Sequence, residues 1–379
     1  MTLTRRQLLV GMSAGAATLL LAACGGTPTA TMAPSARPSA APSAAASGAA
    51  LATGAATPSA ASVAATSVAN SGPLKTVRAG FVPVTNWGPL FIAIEKGYFR
   101  EQGIETVATQ FTSGTDIITQ TAAGQLDVGP SGLGASTLNI IKRGADLRAV
   151  ASQHSESQPM ATPLVVAKKK YDDGTYKKVT DLKGKKVAIN GKGVATEYWL
   201  YSALKKNGLT MKDVDLQVVS FDQVAAALDS GALDGAMLSE PWPTLAEQKN
   251  LIQRIADDFL TNAQGTAVFF NLKWARESGV AERWLAAWLK GARDLTPQGY
   301  ARDDNAAILE KYTKTPKDII KATKPPLHNP NGTLNLDDMK AQQEYFLGSG
   351  ALTYTEPIDL STIVDNSFVE GALKIIGKA

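Results

Sequence analysis

From Lys75 onward the chain alternates short β-branched runs with amphipathic stretches. KTVRAGFV reads as a strand, GPLFIAIEKGYF as a helix ending near Gly97, and IETVATQF as the next strand. Farther on come a helix in ASTLNIIKRG, a strand in LRAVAS, the apolar run TPLVVAKK, a fresh strand in GKKVAIN, a helix in ATEYWLYSALKKNG and a strand in DLQVVS. TAVFFN reads as a return strand, and only helical patterns follow it, among them VAERWLAAWLKGARDL and LDDMKAQQEYFL. Alternation of this kind predicts α/β units on largely parallel sheets. The order predicts two lobes, with residues 75–168 plus 266–379 forming lobe 1 and residues 169–265 inserted as lobe 2. Two connections would then cross between the lobes, a natural place for a hinge.

Within that pattern one phrase is written twice. AAGQLDVGPSG at 122–132 has an echo in DSGALDGAMLSEP at 229–241, and a serine (Ser113, Ser220) lies eleven positions before the glycine of each copy (Gly124, Gly231). Each copy reads as a turn, an apolar helix, a closing glycine and a very short strand ending at Ser131 or Ser239. Asp116 and Asp222 are expected to cap the helices by accepting backbone N–H groups, and Gly124 and Gly231 to end them in left-handed conformation. The repeat predicts two lobes of similar build.

The N-terminus has a different character. Arg5 and Arg6 precede an apolar run from Leu8 to Ala23 that is short and rich in Gly and Ala, the signature of an export signal over residues 1–23. Leu21-Ala22-Ala23-Cys24 resembles the lipobox of bacterial lipoproteins, which implies a lipid on Cys24 and a protein held at the outer face of the cell membrane. The Thr4-to-Leu9 run also resembles a twin-arginine signal without its usual Phe, so the export route stays open. Residues 24–74 are almost wholly Ala, Ser, Thr, Pro and Gly and read as a disordered tether. About 46 such residues would span roughly 35 to 40 Å. Cys24 is the only cysteine, which excludes an internal disulfide and a thiolate metal cluster. Loss of Arg5 and Arg6 leaves a net charge of +2, no electrostatic basis for nucleic acid.

In open parallel sheets ligands sit where loops leave the carboxyl ends of strands, beside helix N-termini. Five segments qualify: VTNWG at 84–88, TSGTD at 112–116, PSGLGAS at 130–136, NGKGVATEYW at 190–199 and SEPWP at 239–243. The candidate ligand contacts are Asn86, Trp87, Thr115, Asp116, Ser131, Gly132 and His154 from lobe 1, meeting Thr196, Glu197, Trp199, Ser220, Glu240 and Trp242 from lobe 2. Tryptophan suits stacking on a planar ring, and hydroxyls and carboxylates suit its polar edge. A packing role stays open for each tryptophan, whereas Trp274, Trp284 and Trp288 read as core. His154 and His328, the only histidines, lack metal-ligand spacing, and no cofactor or metal is expected. No Ser-His-Asp or paired-carboxylate arrangement nominates a reaction.

The motifs LFIAIEKGYFREQGIE (90–105), SGTDIITQTAAGQLDVGPSG (113–132), DLKGKKVAINGKG (181–193) and DGAMLSEP (234–241) resemble those of the ABC-importer solute-binding proteins for sulfonates, taurine, nitrate, thiamine pyrimidine precursors and riboflavin. The resemblance implies an α/β, two-lobed, type II periplasmic-binding-protein-like fold, each lobe a mixed, mostly parallel sheet flanked by helices. It also implies a monomer that closes on a small solute and delivers it to a membrane permease and its ATPase. One departure stands out. Sulfonate-type members often carry Gly-Ser-Ser/Thr-x-His where this chain has Gly193-Val194-Ala195-Thr196-Glu197. The five segments also hold Asp116, Glu197 and Glu240 against one cation, Lys192, and carboxylates beside an anion cost Coulomb energy. The expected ligand is therefore an aromatic nitrogen heterocycle of vitamin type, riboflavin first and a thiamine-type pyrimidine second. A sulfonate, taurine or nitrate is the alternative. A pyrimidine-synthase-like enzyme using pyridoxal phosphate resembles these binders in fold, but its Cys-rich motif has no counterpart after Cys24.

Overall fold

Residues 72–379 are described by the structure, a computed structural model. The signal segment, Cys24 and the tether up to residue 71 lie outside the described residues.

Among the described residues nine strands carry the architecture: β1 (Lys75–Phe81), β2 (Ile104–Gln110), β3 (Leu147–Glu156), β4 (Leu164–Ala167), β5 (Lys186–Ile189), β6 (Asp215–Val218), β7 (Gly235–Met237), β8 (Ile252–Ala256) and β9 (Ala263–Asn271). In the first half they alternate with helices α1 (Gly88–Glu95), α2 (Tyr98–Glu101), α3 (Gly114–Ala122), α4 (Ala135–Lys142), α5 (Lys168–Asp172), α6 (Ala195–Lys206), α7 (Phe221–Ser230) and α8 (Trp242–Gln248). The tail after β9 is helical: α9 (Leu272–Ser278), α10 (Ala281–Asp294), α11 (Pro297–Tyr300), α12 (Asp303–Thr313), α13 (Lys317–Ala322), α14 (Leu336–Gly348) and α15 (Ser367–Ile376).

The second sheet runs β6-β5-β7-β4-β8, with β5 parallel to β6 and β7, and β4 antiparallel to both its neighbours. The first follows the same plan. β1 pairs in parallel with β2, β3 pairs antiparallel with β9, and Val128 joins the halves through a parallel bridge to Ala79 and an antiparallel bridge to Phe270. The two lobes are thus built alike, as the repeated phrase predicts. The expected lobe boundary needs moving, because β4 already hydrogen-bonds into the second sheet and precedes residue 169. The chain enters lobe 2 between β3 and β4.

The repeat's chemistry is visible in its aspartates. Asp127 N–H donates to Arg78 O (2.9 Å) while Arg78 N–H donates to the Asp127 carboxylate (2.7 Å). Asp234 and Lys186 make the same reciprocal pair, at 2.9 Å in both directions. Leu126 and Leu233, one position earlier, are buried. Gly124 and Gly231 are left-handed, at φ 73° and 80°, where a Cβ would clash with its own backbone. The caps differ from expectation. Ser113 caps α3 by accepting from Asp116 N–H, and Asp116 instead accepts the Ser113 and Thr112 hydroxyls. A serine one turn closer to the helix start out-competes the aspartate for the free N–H.

Against the first sheet packs a core of Phe91, Phe99, Phe270, Trp284 and Trp288, the tryptophans projecting from α10 at four-residue spacing. The Trp284 indole N–H reaches Thr106 Oγ1 at 3.1 Å, so this ring is both buried and satisfied. None of the helices among the described residues is long and apolar enough to cross a membrane.

Candidate functional site

A narrow cavity lies between the lobes. Lobe 1 contributes Asn86, Trp87, Gly132, His154 and Thr266, and lobe 2 contributes Asn190, Thr196, Trp199, Phe221 and Ser239, with valines closing the gaps. The lobes touch beside it. Ser136 donates to Gly193 O through both its N–H (3.2 Å) and Oγ (2.8 Å), and Thr115 Oγ1 donates to Lys192 O at 3.3 Å. Gly134 and Gly193 approach so closely that a Cβ on Gly134 would lie 2.0 Å from Gly193 O.

Behind the cavity a polar chain fixes its wall. Asn86 Nδ2 donates to His154 Nε2 (3.0 Å), which leaves the imidazole proton on Nδ1 to donate to Thr266 Oγ1 (2.8 Å). Gly265 makes room for this ring, since a Cβ there would lie 2.1 Å from His154 Nε2. Gln153 Nε2 holds Asn86 O (3.1 Å), and Gln153 O accepts from His328 Nδ1 (2.7 Å). Burial holds His154 well below its ordinary value, and His328 adds to the shift; burial pushes His328 down to about 4. Both imidazoles are neutral at pH 7.

Among the described residues, no Asp, Glu, Lys or Arg lines the cavity. Three of its polar atoms are buried without a partner among the described residues: Asn86 Oδ1, Trp87 Nε1 and Trp199 Nε1. The first is an acceptor and the other two are donors. Helix α6 opens at the cavity without a side-chain cap, because Val194 precedes it, and Glu197 N–H turns back to Val194 O at 3.1 Å.

Of the sequence candidates, Asn86, Trp87, Gly132, His154, Thr196 and Trp199 line this cavity. Ser220 and Trp242 line an adjoining chamber that shares Val82 and Phe221 with it. Thr115 is a contact between lobes rather than a wall. Ser131 is buried and its hydroxyl donates to Gly114 O at 3.1 Å. The three carboxylates counted as cleft groups are turned elsewhere. Asp116 is exposed at the start of α3. Glu197 accepts from Gly193 N–H (2.7 Å) and Tyr345 Oη (3.4 Å). Glu240 is fully buried against Arg254 Nη2 (2.7 Å), and also accepts from Lys324 N–H (3.1 Å). Burial raises its carboxyl above the ordinary value, and the Arg254 charge opposes the rise. Each carboxylate found nearer donors than a ligand could offer, so the inventory of charges by segment misjudged the cavity.

Asn190, Phe221, Ser239 and Thr266 were not among the candidates. Ser239 ends the second repeat copy and Asn190 opens the segment that includes Thr196, so both carried a signal. Thr266 sits on β9, remote in sequence from its partner His154, and carried none.

The NMT1-like family profile matches residues 70–310, more than half of the chain. The chain belongs to the NMT1-like family. It is 24% identical to the nitrate/nitrite binding protein NrtA of a Synechocystis strain over 75% of this chain and 68% of that protein. With an aliphatic sulfonates-binding protein of Bacillus subtilis it shares 27% identity over 79% of this chain and 89% of the other. With the riboflavin-binding protein RibY of Chloroflexus aurantiacus it shares 25% over 58% and 61%. The crystal structure of the periplasmic nitrate-binding protein NrtA from Synechocystis superposes with a TM-score of 0.67 at 15% identity, covering 80% of this chain and 89% of that one. This NMT1-like protein therefore has the two-lobed periplasmic-binding-protein fold, and the resemblance drawn from its motifs holds at the level of the superfamily.

Proposed function

We propose that this NMT1-like protein is the extracytoplasmic solute-binding component of an ABC importer, anchored by a lipid on Cys24, and that its solute is a planar aromatic nitrogen heterocycle. Riboflavin is the first choice and a thiamine-type pyrimidine the second. What carries this reading is the mixed polarity of the orphaned atoms. Asn86 Oδ1 is buried and lacks a donor, while Trp87 Nε1 and Trp199 Nε1 lack acceptors. A heterocycle edge offers ring nitrogens and carbonyls to the indoles and an N–H to the asparagine. Nitrate and sulfonate groups carry acceptors only, and would set lone pairs against Asn86 Oδ1. An unsatisfied buried group costs about 1–3 kcal/mol. The absence of a cationic side chain from the wall acts in the same direction, since burying an unpaired charge is costly. An organic sulfonate is the second reading, favoured by the uncapped N-terminus of α6 at the cavity. The wall contains no lysine for the internal Schiff base that a pyridoxal phosphate enzyme requires.

The test is a tryptophan-fluorescence and calorimetric titration of the full chain with riboflavin, a thiamine-type pyrimidine, taurine and nitrate. Saturable binding of a heterocycle, abolished in Asn86→Leu, is expected. Binding of taurine or nitrate with no response to either heterocycle would refute the ligand assignment. For the anchor, Cys24→Ala should shed the protein from membranes into the medium, and its retention would refute the lipid.

A further inference from the structure

The outer chamber shares Val82 and Phe221 with the ligand cavity and is the larger of the two. Its chemistry differs. Trp242 lines it and keeps a buried indole N–H without a partner among the described residues. Ser220 lines it from the position before α7 and makes no side-chain cap bond, so its hydroxyl is uncommitted, while its carbonyl accepts Gln223 N–H at 3.0 Å. Gln110 adds an amide, and Asp222 and Lys314 bring one charge of each sign. The ligand cavity is lined by neutral side chains alone; the chamber outside it adds one charge of each sign to its neutral donors and acceptors.

We propose that the outer chamber is a second subsite, which takes a neutral, hydroxylated side chain of the ligand while the ring occupies the inner cavity. This rests on the heterocycle reading of the inner cavity and sharpens it, from a bare ring to a ring bearing a polyhydroxyl substituent. A hydroxyl can both donate and accept, so one chain can meet the Trp242 N–H, the Ser220 hydroxyl and the Asp222 carboxylate in turn. A charged tail would face one like charge whichever its sign.

Riboflavin and lumiflavin share a ring system and differ in the hydroxylated chain, which makes them the probes. Titrated into the full chain by tryptophan quenching, riboflavin is expected to bind about tenfold or more tighter than lumiflavin, the scale of one or two net hydrogen bonds. Ser220→Ala and Trp242→Phe should each narrow that ratio severalfold, with thermal midpoints confirming that both variants fold. Equal affinities for the two flavins, or a ratio that neither variant changes, would overturn the second subsite and leave the inner-cavity reading standing. If neither flavin binds, the riboflavin assignment itself fails, and the subsite with it.

Discussion

The two copies of the repeated phrase share a frame through Gly-x-Leu-Asp and part company where they end. Each ends in a serine, and the next position is Gly132 in lobe 1 and Glu240 in lobe 2. Both face the opposite lobe. Gly132 lies against Ala195, where a Cβ would be 3.0 Å from the Ala195 nitrogen. Glu240 receives Thr85 N–H on its carbonyl (2.9 Å) and Lys324 N–H on its carboxylate (3.1 Å). One copy offers an absent side chain so that backbones can meet; the other offers a buried charge that ties the lobes. Similar backbones thus deliver opposite devices to the two sides of one cavity, and the difference lies in what surrounds the position rather than in the frame.

Removing the charged device should have the largest effect. Glu240→Ala leaves Arg254 beside Glu247 alone, with the guanidinium side chain only 10% exposed, and breaking a buried pair costs about 3–5 kcal/mol. Chemical denaturation should show a loss of that size; a loss below about 1 kcal/mol would mean the latch is solvated.

The shared frame can be challenged at its aspartates. Asp127 is buried and also holds the Arg78 guanidinium at 2.6 Å, whereas Asp234 is half-buried and adds only the Tyr176 hydroxyl at 2.5 Å. Asp127→Ala is expected to cost about 1.5–3 kcal/mol and Asp234→Ala about 1 kcal/mol. Equal costs, measured by thermal or urea unfolding, would show that the reciprocal pair with the strand dominates in both copies.

A smaller effect on stability, with a clear one on binding, is expected at the bare contact. Gly134 has φ −90° and ψ −178°, a conformation open to any residue, so Gly134→Ala is strained only when the lobes meet. Overpacking there should weaken ligand affinity by about tenfold or more. X-ray scattering with saturating ligand should then show the variant more extended than the parent, and identical curves would mean the lobes need not touch at Gly193.

The gentlest probe is pH, read at the crossing between the copies. His154 and His328 titrate below their ordinary 6.5 when folded, the second at about 4, so their contribution is lost as pH falls from about 6.5 toward 4. Burial raises Glu156 from 4.5 to about 7, so its contribution runs the other way and is lost as pH rises through that interval. Burial raises Glu240 and Asp338 as well, so three carboxyls oppose the fall in melting temperature that the imidazoles impose between pH 6.5 and 5. Glu156→Gln removes one opposing group and should make the melting temperature fall more steeply over that interval than in the parent. A shallower fall in the variant would contradict the raised Glu156.

Much was legible along the chain because it depends on near neighbours. Alternating apolar runs fix which segments are strands, left-handed turns demand Gly124 and Gly231, and recurrence of the same phrase predicts two sheets of one plan. Six of the thirteen candidate contacts reached the cavity, five on segments that leave strand ends or open helices and His154 from within β3. What sequence alone could not decide was the direction of side chains that have several suitors. Glu197 turns to Gly193 N–H, Glu240 to Arg254 and Ser131 to Gly114 O, because a buried acceptor or donor takes the nearest satisfied geometry and those partners come into range only on folding. Thr266 joins the wall for the same reason: β9 returns beside β3 and sets a hydroxyl 2.8 Å from His154, a distance that no spacing in the chain contains.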